Sequence, residues 1–561
     1  MTNDAHLDTD VTVVGAGPVG LMLAAELALS GATVQVLERL AEPAVEMKAG
    51  GINVSTAEAL DRRGLLPAVE MKAGGINVST AEALDRRGLL PAAEKVQREL
   101  LERLGPPAPV PGKRRSEGDG PDGGRRGEDD QQPGGRRLTG HFAGIVLDAD
   151  LVNWTDPDLA AHASVDGARM VPQRELEALL AEHLAALGVP VRRGVEVTSF
   201  EDTGDGVLID TSTAGASGTV RTGWLVGCDG GHSTVRRLAG IDFPGTDPEL
   251  TGYRALADIA DPSVLAEGWG WSPHGVYRYG PQPGLVVAVE FVPPPADRSA
   301  PVTLEELQAS LRRVSGTDVT LTGLRGDATR WSDNARQAAT YRSGRVLLAG
   351  DSAHVHSPFG GQGLNLGFGD AMNLGWKLGA VVAGRAPEEL LDTYDAERRP
   401  VGAWVLDWTR AQIGVLRGDA KSAALRELLI DLLHTRDGAT HAVKKILGVT
   451  QRVDLPGDHR LTGRYAPDLW LSDGSRLTDH GHGGGFLLLD RTPDGSFTRL
   501  AKPWDDRVNT VPDDTHATPA AVLVRPDGVV AWATDSADST DATAADGLEA
   551  ALRRWAGPPS S

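Results

Sequence analysis

The sequence predicts an α/β protein: a nucleotide-binding domain of parallel strands and helices, split by an inserted antiparallel sheet and followed by a smaller α/β unit. Three observations predict it. Near the amino end the short apolar strand Asp10–Val14 runs into Gly15-Ala-Gly17-Pro-Val-Gly20, then a helix over about Leu21–Ser30 and a second strand, Thr33–Leu37, ending at Glu38. Much later, in Gly344–Leu378, the apolar run RVLLAGD reads as a buried strand ending in a Gly-Asp turn. A loop with Pro358, Gly360, Gly361, Gly363 and Gly367 comes next, then an apolar helix from about Asp370 to Val382. Between the two, Thr251–Thr340 switches to short alternating strands with glycine turns, the pattern of an antiparallel sheet.

The first stretch is a dinucleotide fingerprint in its required context, strand before and helix after. Gly15 permits the tight turn, Gly17 the close approach of a pyrophosphate, and Gly20 tight packing of helix on strand. Glu38 sits at the spacing of an acid that accepts hydrogen bonds from a ribose hydroxyl. In the second stretch Asp351 ends a strand, where it is placed to accept from a polyol. The glycines behind it let backbone N–H groups approach a ligand at a helix N-terminus.

This second stretch, Gly350-Asp351 through Pro358, Gly361, Gly363, Leu364 and Asn365, resembles a flavin motif of the class A flavoprotein aromatic hydroxylases, the para-hydroxybenzoate hydroxylase-like family. The resemblance implies FAD, with the Gly-Asp pair on the ribityl chain and the glycine-rich loop beside the isoalloxazine. It also implies a Rossmann-like FAD-binding domain with an inserted antiparallel-sheet substrate domain, NADPH or NADH as reductant, and O2 as co-substrate. One oxygen atom would pass to an electron-rich ring of a flat polycyclic aromatic, in the manner of the polyketide hydroxylases of antibiotic pathways. Two rival readings stay open: a Baeyer–Villiger oxygenase on the same scaffold, and a flavin-binding NAD(P)H oxidase without productive oxygenation.

Composition bounds the alternatives. The chain of 561 residues has room for two to four domains. Its 77 acidic against 56 basic residues give a net charge of −21, which argues against a nucleic-acid partner. The single cysteine, Cys228, rules out an intramolecular disulfide framework and any cysteine-cluster metal site, and suits a reducing cytoplasm. No signal segment or spanning apolar run is evident, so no membrane role is expected, and homo-oligomerisation is left open.

In chain order, the 24-residue segment Pro43–Leu66 recurs residue for residue as Pro67–Leu90, which points to a recent duplication. The resemblance implies an arginine that contacts FAD here, and this chain departs from it in having lysine, which lacks the forked donor set. Lys48 keeps register with Glu38, while Lys72 keeps register with the downstream helix, so one copy is expected to bulge out. Gly105–Arg137, rich in Pro, Gly and charge, reads as a disordered loop. After the short strand His141–Leu147, VPQRELEALLAEHLAALG is an amphipathic helix. By resemblance Gln173 or Arg174 at its start reaches the flavin. Gly227-Cys-Asp229-Gly230 matches the family's Asp-Gly motif, where Asp229 is at once a cofactor residue and a helix cap.

In the inserted sheet Trp269, Trp271, Tyr277, Tyr279 and Phe291 concentrate aromatic area in a chain with only 5% aromatic residues, and are expected to line an apolar slot for the substrate. Arg254 and Arg278 are the only candidates there for clamping a carboxylate. Tyr394, Glu397, Arg398 and Pro400 match packing and ion-pair positions of the family's next helix pair. His354 and His356 lack further metal ligands and read as loop hydrogen-bonding residues; no catalytic residue and no metal site is assigned. The strands from about Leu461, closing on a Pro-Asp-Gly hairpin and a last helix, look thioredoxin-like without Cys-x-x-Cys. The expected division is 1–250 (first part of the FAD domain), 251–340 (substrate domain), 341–400 (second part), 401–455 (helical) and 456–561 (thioredoxin-like).

Overall fold

The computed structural model describes residues 7–43, 52–65, 139–162, 173–280, 282–297, 300–326, 328–359, 361–538 and 541–560. The apolar runs Thr9–Val14 and Val34–Glu38 form neighbouring parallel strands, Val13 opposite Val36, at the centre of an eight-stranded sheet. Burial on both faces is what a run without polar alternation demands. Along the sheet path the strands are Arg342–Ser343, Val346–Leu348, Ala216–Gly227, Thr9–Val14, Val34–Glu38 and Val191–Arg193. The last five run parallel. The hairpin Val195–Asp202 and Val207–Thr213 extends antiparallel from Ala216–Gly227.

This order brings motifs far apart in the chain together. Val14, Gly227 and Leu348 end three adjacent parallel strands, with Val14 opposite Gly227 and Gly227 opposite Leu348. The fingerprint, the Asp-Gly motif and the Gly-Asp motif therefore all emerge at one carboxyl edge, where ligands of open α/β sheets bind.

Behind that edge the helix Pro18–Leu29 packs on a helix that runs Gly363–Val382. The latter begins seven residues before the Asp370 start expected from the sequence. The reason is its packing: Gly363, Gly367, Ala371, Gly375 and Gly379 recur every fourth residue as one small-residue ridge. A Cβ on Gly367 would stand 2.5 Å from Val19 Cγ2, on Gly375 2.3 Å from Glu26 Cβ, and on Gly379 2.2 Å from Ser30 Cβ. Gly363 and Gly367, read from the sequence as loop residues, thus belong to a helix whose glycines set a close crossing. A second difference lies downstream, where one helix, Asp392–Leu416, carries Pro400 in its interior instead of the expected helix pair.

The inserted sheet has six strands, including Thr251–Ile259, Gly268–Ser272, Gly275–Tyr279 and Leu285–Glu290. The amphipathic helix Leu304–Ser315, capped by Thr303 Oγ1, covers one face with Leu307, Leu311 and Val314. The other face turns toward the glycine-rich loop. At the carboxyl end Phe486–Asp490 lies between the parallel strand Val508–Pro512 and the antiparallel strand Ala521–Val524, with Val530–Thr534 outermost and Ala542–Trp555 closing the unit.

Part of the first repeat copy is core. Val54–Asp61 is a helix capped by Asn53 Oδ1, and Ile52, Ala57 and Leu60 are buried. The second copy, with Lys72, lies outside the described residues, as do Lys48 and Gly105–Arg137. Among the described residues no helix is long and apolar enough to cross a membrane, and no cluster of three His, Cys, Asp or Glu side chains is arranged to hold a metal ion.

Candidate active site

The three fingerprint glycines meet three different demands. Gly15 has φ of +109°, and a Cβ there would lie 2.3 Å from the Cys228 carbonyl oxygen. A Cβ on Gly20 would lie 2.0 Å from the Gly15 oxygen, so that position is set by turn-on-helix packing. A Cβ on Gly17 would meet nothing within 4 Å. The space beside Gly17 is thus open, and Gly17 caps the helix with its backbone alone, leaving the N–H groups of the first turn for an anion. Glu38 is drawn into this turn: its Oε2 accepts from Ala16 N–H and its Oε1 from Leu40 N–H, each at 2.8 Å. The remaining lone pairs of the carboxylate suit a diol.

Asp229 closes the middle of the edge. Its Oδ2 accepts from the N–H groups of Thr234 and Val235, and its Oδ1 from the hydroxyls of Ser233 and Ser352. Ser352 Oγ in turn accepts from Gly230 N–H at 3.1 Å. Asp229 therefore ties the Asp-Gly motif to the Gly-Asp motif, and its cap role is explicit. Burial and then the Asp229 charge push the neighbouring Cys228 thiol far up, in keeping with a packing role.

At the Gly-Asp turn Gly350 takes φ of +63° and donates its N–H to Asp370 Oδ2 at 3.1 Å. Asp370 is fully buried, 2.6 Å from His354 Nε2 and 2.9 Å from Arg398 Nε. Burial alone would raise its carboxyl, but His354 and Arg398 hold it below its ordinary value. Sequence reasoning gave His354 only a loop role and missed Asp370 as its partner. The available signal was a carboxylate in the middle of an apolar helix, which has to be paired. Asp351 differs: it is exposed, and the one interaction its charge makes among the described residues is with the nearby His356 ring. A carboxylate held at the sheet edge and left to solvent is what a ribityl chain requires.

In the loop, Gly361 has φ of +63° and an open Cβ position, and Pro358 is exposed. Asn365 Nδ2 donates to the Gly361 carbonyl while its Oδ1 accepts from Asn53 N–H, both at 2.8 Å, so the loop is stitched to the first repeat copy. Gly363 opens the helix and Leu364 packs against the main core. Gln173 begins its helix, but its amide donates to Glu177 Oε1 one turn on, and Arg174 is exposed.

The five aromatics do not form one wall. Trp269 lies opposite Arg278 and Gly270 opposite Tyr277 in the ladder, so tryptophans and tyrosines point to opposite faces. Trp269, Trp271 and Phe291 join the cluster toward the glycine-rich loop. Tyr277 and Tyr279 pack with the covering helix on the outer face, which corrects their placement in the slot. Trp331 and Phe359, not singled out from the sequence, complete the inner wall: Phe359 lies 6.0 Å from Trp269 and 5.7 Å from Trp331, ring centre to ring centre. Trp271 is fixed by donating its Nε1–H to the Leu416 carbonyl at 3.1 Å.

The donor and acceptor set at the edge thus fits FAD: open backbone at Gly17 and Gly361, an acid at the fingerprint turn, and an exposed acid at the polyol position. Comparison with known proteins agrees. Residues 8–409 match the family described as FAD binding domain, and residues 459–559 match the aromatic-ring hydroxylase C-terminal family. The chain is 39% identical to a 12-dehydrotetracycline 5-monooxygenase/anhydrotetracycline 6-monooxygenase of Streptomyces rimosus, covering 98% of this chain and 99% of the relative. It is 37% identical to a rifampicin monooxygenase of Streptomyces venezuelae, over 93% and 95% of the two chains. The solved anhydrotetracycline hydroxylase of Streptomyces rimosus superposes with a TM-score of 0.78 at 36% identity, covering 98% of this chain and all of that one.

Proposed function

Because the chain belongs to the family of FAD-binding aromatic-ring hydroxylases, we propose that it is an FAD-dependent monooxygenase that hydroxylates an aromatic polyketide, with NADPH as reductant. Bound FAD would supply the chemistry that activates O2. The chain's own residues bind and orient. The first turn of Pro18–Leu29 holds the pyrophosphate, Glu38 the ribose and Asp351 the ribityl chain, while Asp370, through Gly350 N–H, sets the turn that carries Asp351. The loop Pro358–Gly363 and the N–H groups beginning Gly363–Val382 support the electron-rich edge of the ring system.

The observation that carries the reading is the Phe359 contact. A residue of the cofactor loop packs against Trp269 and Trp331 of the inserted sheet, so cofactor edge and sheet share one aromatic wall. That wall excludes water and holds a flat ligand by apolar burial. The division into domains given above, the Rossmann-like and thioredoxin-like character of the first and last, and a cytoplasmic setting belong to the same reading. The strand order supports the first of these.

The test is coupling. With a polycyclic phenol such as anhydrotetracycline, the compound named for a relative, Trp269→Ala should keep NADPH oxidation but divert oxygen to peroxide, whereas Tyr279→Ala should stay coupled. Equal coupling in both variants would remove the inner face from the substrate site. A lactone product would assign the Baeyer–Villiger alternative, and peroxide alone from the unaltered protein the oxidase alternative.

A further inference from the structure

Two buried networks meet on the helix Asp392–Leu416, at two consecutive residues. Arg398 serves the cofactor side. Its Nε donates to Asp370 Oδ1 at 2.9 Å and its Nη2 to the Leu366 carbonyl at 3.0 Å. A Cβ on Gly369 would stand 2.5 Å from that Nη2, so the glycine leaves room for the guanidinium. Asp370 in turn accepts from Gly350 N–H, in the turn that carries Asp351. One turn earlier on the same helix, Tyr394 donates its hydroxyl to the carbonyl of Leu348, which ends the strand entering that turn.

Glu397 serves the other side. Both of its oxygens are gripped by the fork of Arg525, which comes from the carboxyl-terminal unit: Nη1 donates to Oε1 at 3.0 Å and Nη2 to Oε2 at 2.8 Å. Asn373 Nδ2 donates to Glu397 Oε2 at 2.7 Å and to Asp527 Oδ2 at 2.9 Å, and Lys377 Nζ lies 2.9 Å from Glu397 Oε2. Leu366, Asp370, Asn373 and Lys377 recur at spacings of four, three and four, so one face of Gly363–Val382 carries both networks. Arg525 is 1% exposed, its guanidinium 4.8 Å from the Trp555 ring centre and 5.3 Å from that of Trp376. Arg525 and Lys377 are thus buried together with Glu397 and Asp527. Desolvation offsets much of the attraction in such a cluster, so register, more than added stability, is what it can supply. A movement of the helix that freed Glu397 from Arg525 would carry Arg398 with it.

We propose that Arg525 is a positioning residue for the cofactor: by holding Glu397 it fixes the helix turn from which Arg398 holds Asp370, and with it the Gly350 turn that presents Asp351 to FAD. The inference rests on the FAD site of the proposed function and gives the carboxyl-terminal unit a part in it. Arg525 acts through Glu397, Arg398 and Asp370, not by contact with the ligand. The hairpin that bears it has other anchors. Arg62 and Arg63 donate to the Asp527 and Pro526 carbonyls at 3.2 and 3.0 Å, contacts that remain when Arg525 is replaced. Linkage makes the effect reciprocal: FAD that gains affinity from the docked Arg525 favours the docked Arg525 by the same factor.

The test is a double-variant cycle on the full chain, with FAD titrated into the apoprotein and followed by flavin fluorescence. Arg525→Met should weaken FAD roughly tenfold. In the Asp351→Ala background the same change should cost less than about threefold, because the carboxylate that Arg525 positions is gone. A role in stability alone gives the same factor in both backgrounds. Arg525→Lys, which keeps the charge and a donor to Glu397, should recover part of the affinity. Saturating FAD should also slow hydrogen exchange of the amides in the Arg525–Val529 turn of the unaltered protein, and not in Arg525→Met. Circular dichroism and melting temperature on the same samples report folding. Should Arg525→Met not fold, Glu397→Gln cuts the same link from the other end and carries the same cycle. Unchanged FAD affinity in the folded variant, equal losses with and without the Asp351 carboxylate, or no added protection of the turn would overturn the inference. Hydroxylation is scored separately. A coupled cycle without oxygenated product defeats the proposed function alone, oxygenation with an uncoupled cycle defeats this inference alone, and an unaltered protein that binds no FAD defeats both.

Discussion

Single carboxylates divide the labour at the sheet edge. Asp351 faces solvent, Asp229 is consumed by four protein donors, and Asp370 is buried between His354 and Arg398. The three should respond differently to substitution. Asp351→Ala should leave stability almost unchanged and weaken FAD by about 1–3 kcal/mol, the cost of leaving its polyol partner unpaired, measured by titrating FAD into the apoprotein. Unchanged FAD affinity would remove Asp351 from the site. Residues of this kind are legible in a sequence because the backbone motif around them has fixed spacing. Phe359 is not: a lone phenylalanine in a glycine-rich loop carries no periodicity, and its partners Trp269 and Trp331 come from another part of the chain. The tyrosine placement failed for a related reason. Which residues share a face depends on ladder register, set by the two-residue turn between Ser272 and Gly275, and a count of local aromatics ignores it.

At the scale of elements, the helix Gly363–Val382 shows two demands on one residue type. Alanine is a better helix former than glycine by about 1 kcal/mol, yet a Cβ on Gly375 would stand 2.3 Å from Glu26 Cβ. Overpacking of this size costs about 1–3 kcal/mol or more, so Gly375→Ala should lower the melting temperature and weaken FAD retention. A higher melting temperature would show that the two helices separate easily. The repeat gives a sharper contrast. Because the copies are identical, deleting either leaves the same chain, and only substitutions tell them apart. Arg63 is 5% exposed and grips Glu26 with Nε at 2.6 Å and Nη2 at 2.5 Å, while also donating to the Pro526 and Gly481 carbonyls. Arg63→Ala leaves that carboxylate buried without its cation and should cost about 3–5 kcal/mol. The same change at the duplicate position, Arg87→Ala, should cost little by denaturant unfolding. Equal losses would mean that both copies are integrated. The duplication itself was plain in the sequence, but that the first copy supplies the buried helix Val54–Asp61 was not, since identical letters encode identical local preferences.

For the whole molecule, the parallel order of three strands turns scattered motifs into one site, and this much was readable once each motif was seen to end a strand. The docking of the last domain was not. Its Pro-Asp-Gly hairpin reaches into the FAD-binding domain, where Arg525 pairs with Glu397 and Asp527, and Glu397 also meets Lys377 at 2.9 Å. Such pairing spans distant segments and leaves no local pattern. Although burial opposes it, the cations Arg525 and Lys377 hold Glu397 down to about 2. A depressed carboxyl contributes stability that is present above its ordinary value near 4.5 and is lost as pH falls toward about 2. Melting temperature should therefore drop across that window, and Glu397→Gln should be less stable at neutral pH with a flatter acid limb; an unchanged slope would take Glu397 out of the linkage. The central claim, that the convergent edge and the aromatic wall make a hydroxylase, is tested most directly by product mass. The FAD-loaded protein is incubated with NADPH, isotopically labelled O2 and anhydrotetracycline or a panel of polycyclic phenols, and the products are weighed. The account predicts a phenolic product heavier by one labelled oxygen, formed in step with NADPH consumed. Product carrying oxygen from water, or NADPH consumed with every substrate of the panel left unchanged, would contradict it.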